Sequence, residues 1–274
     1  MAHITPLARA ISIRYDPPME RYYFDWAATA RPDITIEHRT SLPFANPSSI
    51  HKEGKAAHTT LEEARTRCAG ALGINAEEIY FTSGGTESNG IVLFSLLCKP
   101  GILQNTGKSA VLLYSVTEHP SIRENSPVLK QMGVRCAPIP AEKDGRISAL
   151  TLQRTLAKNP GARMIMIMAV NNETGAINDI KALTELIRKH ETKGPPVHFH
   201  CDAVQAAGKI PLDMYGWRID SASLSAHKIG GSRSTGLLWL KTPITPLVRG
   251  GGQEKKNPAR NGKHRWGCGF GQCP

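Results

Sequence analysis

The sequence predicts an α/β protein in which a mostly parallel β-sheet is flanked by helices. Short apolar segments alternate with segments of helical periodicity along most of the 274 residues. A group of polar residues follows five of the apolar segments. Because ligands of open parallel sheets bind beyond the carboxyl ends of the strands, we expect these polar groups to meet at one edge of the sheet. They occupy residues 83–87, 117–119, 171–173, 202–205 and 225–228.

The individual elements follow from residue patterns along the chain. Turn residues precede a helix that is predicted over about 52–73, where apolar residues recur at helical spacing. Those apolar residues are Ala57, Leu61, Ala64 and Cys68. Residues 83–87 are predicted to form a turn between a strand and a helix. The predicted strands are 78–82, 110–116, 134–139, 164–170, 197–201 and 219–225, and the further helices are 88–97, one after Pro120, 150–157 and 180–190.

Composition and charge narrow the class of protein. The hydrophobic fraction of 40% is ordinary for a globular protein, and no apolar run approaches the ~20 residues of a membrane-spanning helix. The six cysteines form no Cys-x-x-Cys pair, which argues against a disulfide framework and favours a reducing cytoplasm. Five basic residues of the net +11 fall in 255–274, and the remainder is spread over a whole domain. We therefore expect neither a membrane nor a nucleic-acid partner.

The chain divides into three predicted regions. Residues 1–20 lack the apolar centre of a signal peptide and are expected to form a loose N-terminal arm, with Met19 as an alternative start to Met1. Residues 21–254 contain all the predicted strands and helices and form one large domain. Residues 255–274 are basic and glycine-rich and have no apolar periodicity, so we expect no packed structure there.

Two polar groups contain the side chains on which the functional prediction depends. Asp202 and Gln205 follow one predicted strand, and Lys228 follows the next, beside His227. An amine can form a Schiff base with the aldehyde of pyridoxal phosphate (PLP), and a carboxylate can keep its pyridine nitrogen protonated. The sequence therefore predicts a PLP site, where burial would lower the pKa of the lysine amine. The alternative is that Lys228 is an ordinary exposed lysine.

Other residues at the strand ends fit the same cofactor, and each also has a structural explanation. Gly85 and Thr86 lie between a strand and a helix, where backbone N–H groups suit a phosphate, but tight-turn glycines at a helix cap explain them too. His119 could stack on a flat ring or cap a helix. Asn172 could donate to a cofactor oxygen or stabilise a turn.

The strand that precedes Asp202 leaves two further alternatives. Asp202 could cap a helix that begins at Ala203. His198 and His200 share one strand face and could form a metal site with Asp202. A strand that leads to a functional aspartate explains the same pattern, so no metal is expected. Cys201 is expected to be a buried strand residue.

These residues belong to segments that run in the same order in a known family. The segments are Tyr23-Phe-Asp-Trp-Ala-Ala-Thr29, Asn46-Pro-Ser-Ser-Ile-His51, Phe81-Thr-Ser-Gly-Gly-Thr-Glu-Ser-Asn89, Thr117-Glu-His119, Val170-Asn-Asn-Glu-Thr-Gly175, Asp202-Ala-Val-Gln-Ala-Ala-Gly208, Ser225-Ala-His-Lys228 and Arg249-Gly-Gly-Gly-Gln-Glu254. Through them the chain resembles the class-V aminotransferase-type, fold-type I PLP enzymes, and more narrowly the cysteine desulfurases, over residues 22–254.

The resemblance implies a role for each candidate residue. Lys228 would form the Schiff base and move protons at the substrate's α-carbon. Asp202 would pair with the pyridinium nitrogen, and His119 would stack on the ring. The ring hydroxyl would be contacted by Asn172 and Gln205, and the phosphate would be held by Gly85, Thr86, Ser225 and His227.

The reaction implied by the resemblance converts L-cysteine to L-alanine. Sulfur leaves as a persulfide on an enzyme cysteine and passes to a sulfur-acceptor protein, for iron–sulfur cluster assembly or tRNA thiolation. The enzymes resembled are cytoplasmic homodimers. Two alternatives remain open: another class-V PLP enzyme, such as a selenocysteine lyase or an aminotransferase, and a non-enzymatic basic binding module.

The resemblance stops at Glu254. The family continues with the persulfide-forming cysteine, an arginine for the substrate carboxylate and a small C-terminal domain, whereas 255–274 resemble nothing in the family. We therefore expect that the small domain is missing, that the homodimer is in doubt and that turnover is absent or severely impaired. Neither Cys268 nor Cys273 is expected to accept sulfur.

A frameshift near codon 255 would explain this tail, and the genetic code allows a check. The family usually has Arg-x-Gly-Thr-Glu-Asn shortly after the residues that match Gln253 and Glu254. Codons for residues 257–264, when read one nucleotide later, permit Ile-Arg-(Pro or Leu)-Gly-Thr-Glu-Asn. We expect sequencing of the gene past codon 254 to reveal codons of this kind. Codons that cannot encode Gly-Thr-Glu-Asn in the next frame would end the hypothesis.

Overall fold

A seven-stranded sheet is the central feature of the residues that the computed structural model describes, which are 22–32, 44–98, 110–191 and 196–248. The strand order across the sheet is β1-β7-β6-β5-β4-β2-β3. The strands are β1 Ile79–Thr82, β2 Val111–Ser115, β3 Arg135–Ile139, β4 Ala162–Met166, β5 His198–Asp202, β6 Ser221–Ser225 and β7 Gly236–Leu240.

The pairing of the strands confirms the prediction of a mostly parallel sheet. Strands β3, β2, β4, β5 and β6 pair in parallel, whereas β7 is antiparallel to both β6 and β1. Because β7 is antiparallel to both of its neighbours, β1 runs in the same direction as β6. The carboxyl ends of β1, β2, β4, β5 and β6 therefore lie at one edge, as predicted. The antiparallel strand β7 was not predicted, although its residues are all buried.

Six helices pack against this sheet within the described part of the chain. They are α1 Lys52–Leu72, α2 Gly85–Ser95, α3 Pro120–Arg123, α4 Ser126–Gln131, α5 Ala149–Lys158 and α6 Ile180–Glu191. Short 3₁₀ helices at Ala76–Glu78, Leu96–Cys98 and Ala226–Lys228 complete the elements. The predicted helices are all present, and the predicted helix after Pro120 consists of two short ones.

The beginning of α2 differs from the prediction of a turn over 83–87. The helix includes residues 85–87, so that part of the prediction was wrong. The carboxylate of Glu87 reaches back to accept the backbone N–H of Ser83 at 2.6 Å. This hydrogen bond satisfies the N–H of the residue before the N-cap Gly84, and α2 begins at Gly85.

Strand β4 also ends earlier than predicted, at Met166 instead of residue 170. The backbone N–H groups of Ile167 and Ala169 still donate to carbonyls of β5. On the other side, however, the N–H of Met168 donates to the carboxylate of Glu118 at 2.7 Å and not to β2. Directly after β4, the Glu118 side chain therefore takes the place of strand β2 as the hydrogen-bond partner of the backbone.

The buried face of α1 is shifted from its apolar stripe, because Ala57, Leu61 and Cys68 are only partly buried. Ala64 is exposed, and Gly54, Arg65 and Ala69 are the buried residues of the helix. The guanidinium of Arg65 donates to the backbone carbonyl of Ile79 at 2.7 Å and lies 4.9 Å from the centre of the Phe81 ring. A buried cation that binds the first strand thus lies on the buried face of the helix beside its apolar residues.

The apolar core lies on both faces of the sheet. Successive residues of β2 alternate between the two sides, with Leu113 in one cluster and Leu112 in the other. The first cluster also contains Phe199 and Trp239, and the second contains Met164. Burial on both faces explains the continuous apolar run of β7, Gly-Leu-Leu-Trp-Leu. No helix among the described residues is long and apolar enough to span a membrane.

Gly236 provides a test of how tightly β7 packs against Gly84, which precedes α2. A Cβ at this position would lie 2.5 Å from the Cα of Gly84 and 2.6 Å from the Oγ1 of Thr82. We expect Gly236→Ala to lower the free energy of unfolding by about 1–3 kcal/mol, because packed backbone must move. Urea denaturation measures the effect.

Gly70→Ala is the matched control, because a Cβ there has no heavy atom within 4 Å. In the exposed interior of α1, alanine should stabilise the helix by up to about 1 kcal/mol. Equal stability of the two variants would contradict the packing of β7 against Gly84.

Candidate active site

A cavity of about 420 Å³ lies at the carboxyl edge of the sheet. The nine residues that the sequence singled out all line it, although their predicted roles are not thereby tested. They are Gly85, Thr86, His119, Asn172, Asp202, Gln205, Ser225, His227 and Lys228. Most come directly from strand ends or from the first residues that follow a strand, because the parallel strands bring these positions together.

Lys228 lies in the 3₁₀ turn after β6 and lines the cavity. Its Nζ donates to the backbone carbonyls of Ala27 at 2.9 Å and Ala28 at 2.8 Å. The pKa of the amine is lowered, first by burial and then by the positive charge of Lys209, while Asp202 and Asp25 oppose the shift. The amine therefore loses its proton more readily than an exposed lysine, which favours it as a nucleophile.

Asp202 is the last residue of β5 and is only 5% exposed. Its Oδ2 accepts from the Nδ2 of Asn89 at 2.7 Å, and its Oδ1 accepts from the backbone N–H of Val204 at 3.0 Å. Burial raises the pKa of the carboxyl, and these two hydrogen bonds oppose that shift. No helix begins at Ala203, so the helix-capping alternative for Asp202 was wrong, and the bond to Val204 stabilises a turn instead.

The side chains of the cavity fit PLP. A buried carboxylate is costly unless a cation or hydrogen bonds compensate it, and the described residues form no ion pair with Asp202. A protonated pyridine nitrogen would supply that positive charge. Lys228 offers an amine to an aldehyde from the same cavity, and the start of α2 offers backbone N–H groups to a phosphate.

The phosphate side of the cavity combines the start of α2 with the end of β6. The Oγ of Ser225 and the Nδ1 of His227 are 2.9 Å apart. A Cβ on Gly85 would lie 2.5 Å from the Cγ2 of Val204, so only glycine allows the helix to begin this close to the loop after β5. Burial and the neighbouring charges of Lys228 and Arg233 lower the pKa of His227.

His119 caps a helix and also lines the cavity. It is the N-cap of α3, where its Nδ1 accepts from the backbone N–H of Ser121 at 3.1 Å, and it lines the cavity. The Oγ of Ser121 also lies 2.8 Å from Nδ1. The capping explanation is thus confirmed, while stacking of the ring on a cofactor stays a prediction.

A segment at 25–30 closes one side of the cavity, which the sequence did not predict. The Nε2 of Gln205 donates to the carbonyl of Ala27 at 2.8 Å, and its Oε1 accepts from Lys209. The backbone N–H of Ala30 donates to the carbonyl of His227 at 2.9 Å. The segment is therefore held by the same loops that supply the predicted cofactor residues.

Two buried residues were missed as site residues although they lie in the segments that carry the resemblance. Asn89 is 1% exposed and lines the cavity. Glu118 is 2% exposed, and its Oε2 has no hydrogen-bond partner among the described residues. Burial and then the charge of Asp202 raise the pKa of Glu118 well above its usual range. The available signal was the position of Glu118 beside His119 and of Asn89 three residues after Thr86, one helical turn on.

The remaining candidates on β5 have structural partners. Cys201 is fully buried, as predicted, and burial raises its pKa well above that of a free thiol. His198 and His200 share a face and both contact the Oγ of Ser221, at 2.8 and 2.7 Å. No cluster of three potential metal ligands occurs in the described ranges. Cys268 and Cys273 lie outside those ranges.

Comparison with known proteins finds relatives along most of the chain. The family model described as aminotransferase class-V matches residues 22–265. A NifS/IcsS protein homolog of Lactobacillus delbrueckii subsp. bulgaricus is 38% identical over 240 residues, which cover 85% of this chain and 60% of the relative. The cysteine desulfurase IscS of Dictyoglomus turgidum is 35% identical over 243 residues, which cover 86% of this chain and 59% of the relative.

Solved structures agree with the sequence relatives. A NifS-like protein superposes with a TM-score of 0.77 at 31% identity, covering 86% of this chain and 63% of its own. SspA in complex with cysteine gives a TM-score of 0.77 at 29% identity and covers 90% of this chain and 68% of its own. The family match confirms the resemblance found in the sequence. The chain spans about 60% of the length of these curated relatives.

The raised pKa of Glu118 predicts a dependence of stability on pH. The folded protein keeps this proton above the ordinary carboxyl pKa of 4.5, where the unfolded chain has lost it. Stability from this group therefore falls as pH rises. Because glutamine cannot ionise, we expect Glu118→Gln to become increasingly stabilising relative to the wild type as the pH of the urea titrations rises above about 5.

Glu142→Gln serves as the control for this titration. Glu142 is exposed, and hydrogen bonds from Ser148 and Thr151 lower the pKa of its carboxyl, so its titration is complete below about pH 5. A difference between Glu118→Gln and the wild type that does not change with pH would show that Glu118 is ionised in the folded protein.

Proposed function

Because the chain belongs to the class-V aminotransferase family, whose members depend on PLP, we propose that its cavity binds PLP and contains the cofactor site of a cysteine desulfurase. The observation that supports this most directly is the joint position of Asp202 and Lys228. One buried carboxylate and one amine of lowered pKa line a single cavity, together with the exposed N-terminus of a helix.

The proposed roles follow from the chemistry of these groups. When bound, PLP supplies a protonated ring that accepts electrons from the substrate's α-carbon. Lys228 holds the cofactor covalently and then moves the proton at that carbon. Asp202 keeps the ring nitrogen protonated, and His119 stacks on the ring. The ring hydroxyl is bound by Asn172 and Gln205, and the phosphate by Gly85, Thr86, Ser225 and His227.

The proposed substrate is L-cysteine, which is converted to L-alanine as its sulfur passes to an enzyme cysteine as a persulfide. Two relatives named cysteine desulfurase and the solved complex of SspA with cysteine support this choice over selenocysteine lyases and aminotransferases. A sulfur-acceptor protein, a role in iron–sulfur cluster assembly, a homodimer and a cytoplasmic location belong to the same proposal.

The residue that accepts sulfur has to come from outside the lining described above. None of the described cysteines lines the cavity, and burial raises the pKa of Cys201, Cys136 and Cys68. A thiol of raised pKa is a poor nucleophile at neutral pH. We therefore propose that the described residues bind the cofactor and the substrate but release sulfur slowly or not at all.

Lys228→Ala tests the proposed cofactor site. We expect the wild-type chain to retain PLP through gel filtration with an absorption band displaced from that of the free cofactor, because the amine bonds to the aldehyde. The variant should lose that band. Lys241→Ala is the matched control, because Lys241 lies at the end of β7 beside Glu78 and not in the cavity. A wild-type chain that takes up no PLP would refute the proposal.

Addition of L-cysteine to the PLP-loaded chain tests the proposed substrate. We expect a change of the absorption band with little release of sulfide or alanine, since no described cysteine lines the cavity. Selenocysteine and L-alanine are the comparison compounds. Sulfide release at about 1 s⁻¹ or faster, within the usual range for enzymes, would contradict the expected impairment. A band that responds only to other amino acids would favour an aminotransferase.

A further inference from the structure

We infer that Asn89 is a positioning residue, and that a one-way chain of hydrogen bonds from His198 through His200 fixes its amide so that it donates to Asp202. The inference rests on the proposed function in one respect, namely that Asp202 serves a cofactor. The chain of hydrogen bonds itself is a property of the folded protein. It crosses from β5 and β6 to α2, beneath the cavity.

The first step is the contact between Asn89 and Asp202. The Nδ2 of Asn89 lies 2.7 Å from the Oδ2 of Asp202. An ionised carboxylate can only accept hydrogen bonds, so the amide must turn its NH₂ group toward Asp202. The oxygen of the amide then faces the opposite direction, toward the core of the sheet.

The second step sets the proton of His200. The Oδ1 of Asn89 lies 2.9 Å from the Nε2 of His200, so this nitrogen must carry the hydrogen. His200 is fully buried, and burial together with His198 lowers its pKa to about 3. The ring is therefore neutral at physiological pH and has its single N–H on Nε2, which leaves Nδ1 as an acceptor.

The third step extends the series of hydrogen bonds from His200 to Ser221 on β6, with the same donor-to-acceptor direction. The Nδ1 of His200 lies 2.7 Å from the Oγ of Ser221, so the hydroxyl donates to the ring. The Nε2 of His198 lies 2.8 Å from the same oxygen and must donate to it. These residues are at most 6% exposed, so bulk water does not compete for their hydrogen bonds.

A branch of the chain reaches His119. The Nδ2 of Asn89 also donates to the Oγ of Ser121 at 3.0 Å, and that hydroxyl lies 2.8 Å from the Nδ1 of His119. One amide group thus orients the carboxylate on one side of the cavity and the imidazole on another. Asn89, which is uncharged and 1% exposed, thus lines the cavity because its amide contacts two of the cavity's polar side chains.

NMR of the histidine ring nitrogens in the ¹⁵N-labelled full-length protein tests the direction of these hydrogen bonds without any cofactor. We expect His200 at neutral pH to have its hydrogen on Nε2 and none on Nδ1. A hydrogen on Nδ1 of His200 would reverse the donor and acceptor in its hydrogen bonds to Asn89 and Ser221, and would overturn the inference. Failure of PLP to bind would refute the proposed function but would leave this measurement valid.

Asn89→Leu tests the positioning role, because leucine has a similar shape and no polar atoms. A hydrogen bond to a charged group is worth about tenfold or more in binding, so we expect the dissociation constant for PLP to rise by about that factor. The absorption band of the bound cofactor should also move. A dissociation constant and band equal to those of the wild type would overturn the inference.

Asn159→Leu is the matched control for general loss of a buried amide. Asn159 is 5% exposed and accepts from Arg135 at 2.8 Å, but it does not line the cavity. We expect this variant to lose stability while the dissociation constant for PLP stays that of the wild type. If both variants weaken PLP equally, the effect is one of stability and Asn89 has no positioning role.

Discussion

The burial of one carboxylate in the middle of the sheet is the constraint on which the site depends. Asp202 ends β5, which lies between β4 and β6, and little of its surface reaches solvent. A charge in this position requires donors from the protein and a cation from the cavity. The amide of Asn89 and the backbone of Val204 provide the donors. His200 on β5 and Ser221 on β6 connect to Asp202 through Asn89.

The sheet topology brings the phosphate side within reach of that carboxylate. Strand β7 separates β1 from β6 and runs against both, so α2 starts at the same edge as Lys228. Close approach of α2 to the sheet is possible because Gly85 and Gly236 have no side chain where Val204 and Gly84 pack. The positive end of the helix therefore points into the cavity, where an anionic group is favoured.

The sequence predicted the parallel sheet and the nine candidate residues, because strand ends in a parallel sheet converge whatever the details of packing. It did not predict the burial of Arg65 in α1, since the guanidinium has carbonyl and aromatic partners that only the fold brings near. It also missed Asn89 and Glu118. Their importance depends on contacts with residues far away in the chain, Asp202 and Met168, which local pattern cannot reveal.

The amine of Lys228 has a second consequence through its contacts with Ala27 and Ala28. These two carbonyls accept from the same nitrogen that the cavity would present to a ligand aldehyde. An amine nitrogen that has formed a Schiff base has fewer hydrogens to donate. Bonding of Lys228 to an aldehyde and its hydrogen bonds to residues 27–28 therefore compete for the same nitrogen. Binding of an aldehyde ligand to Lys228 should therefore weaken the hydrogen bonds that hold residues 27–28. Those hydrogen bonds should in turn disfavour binding of the ligand.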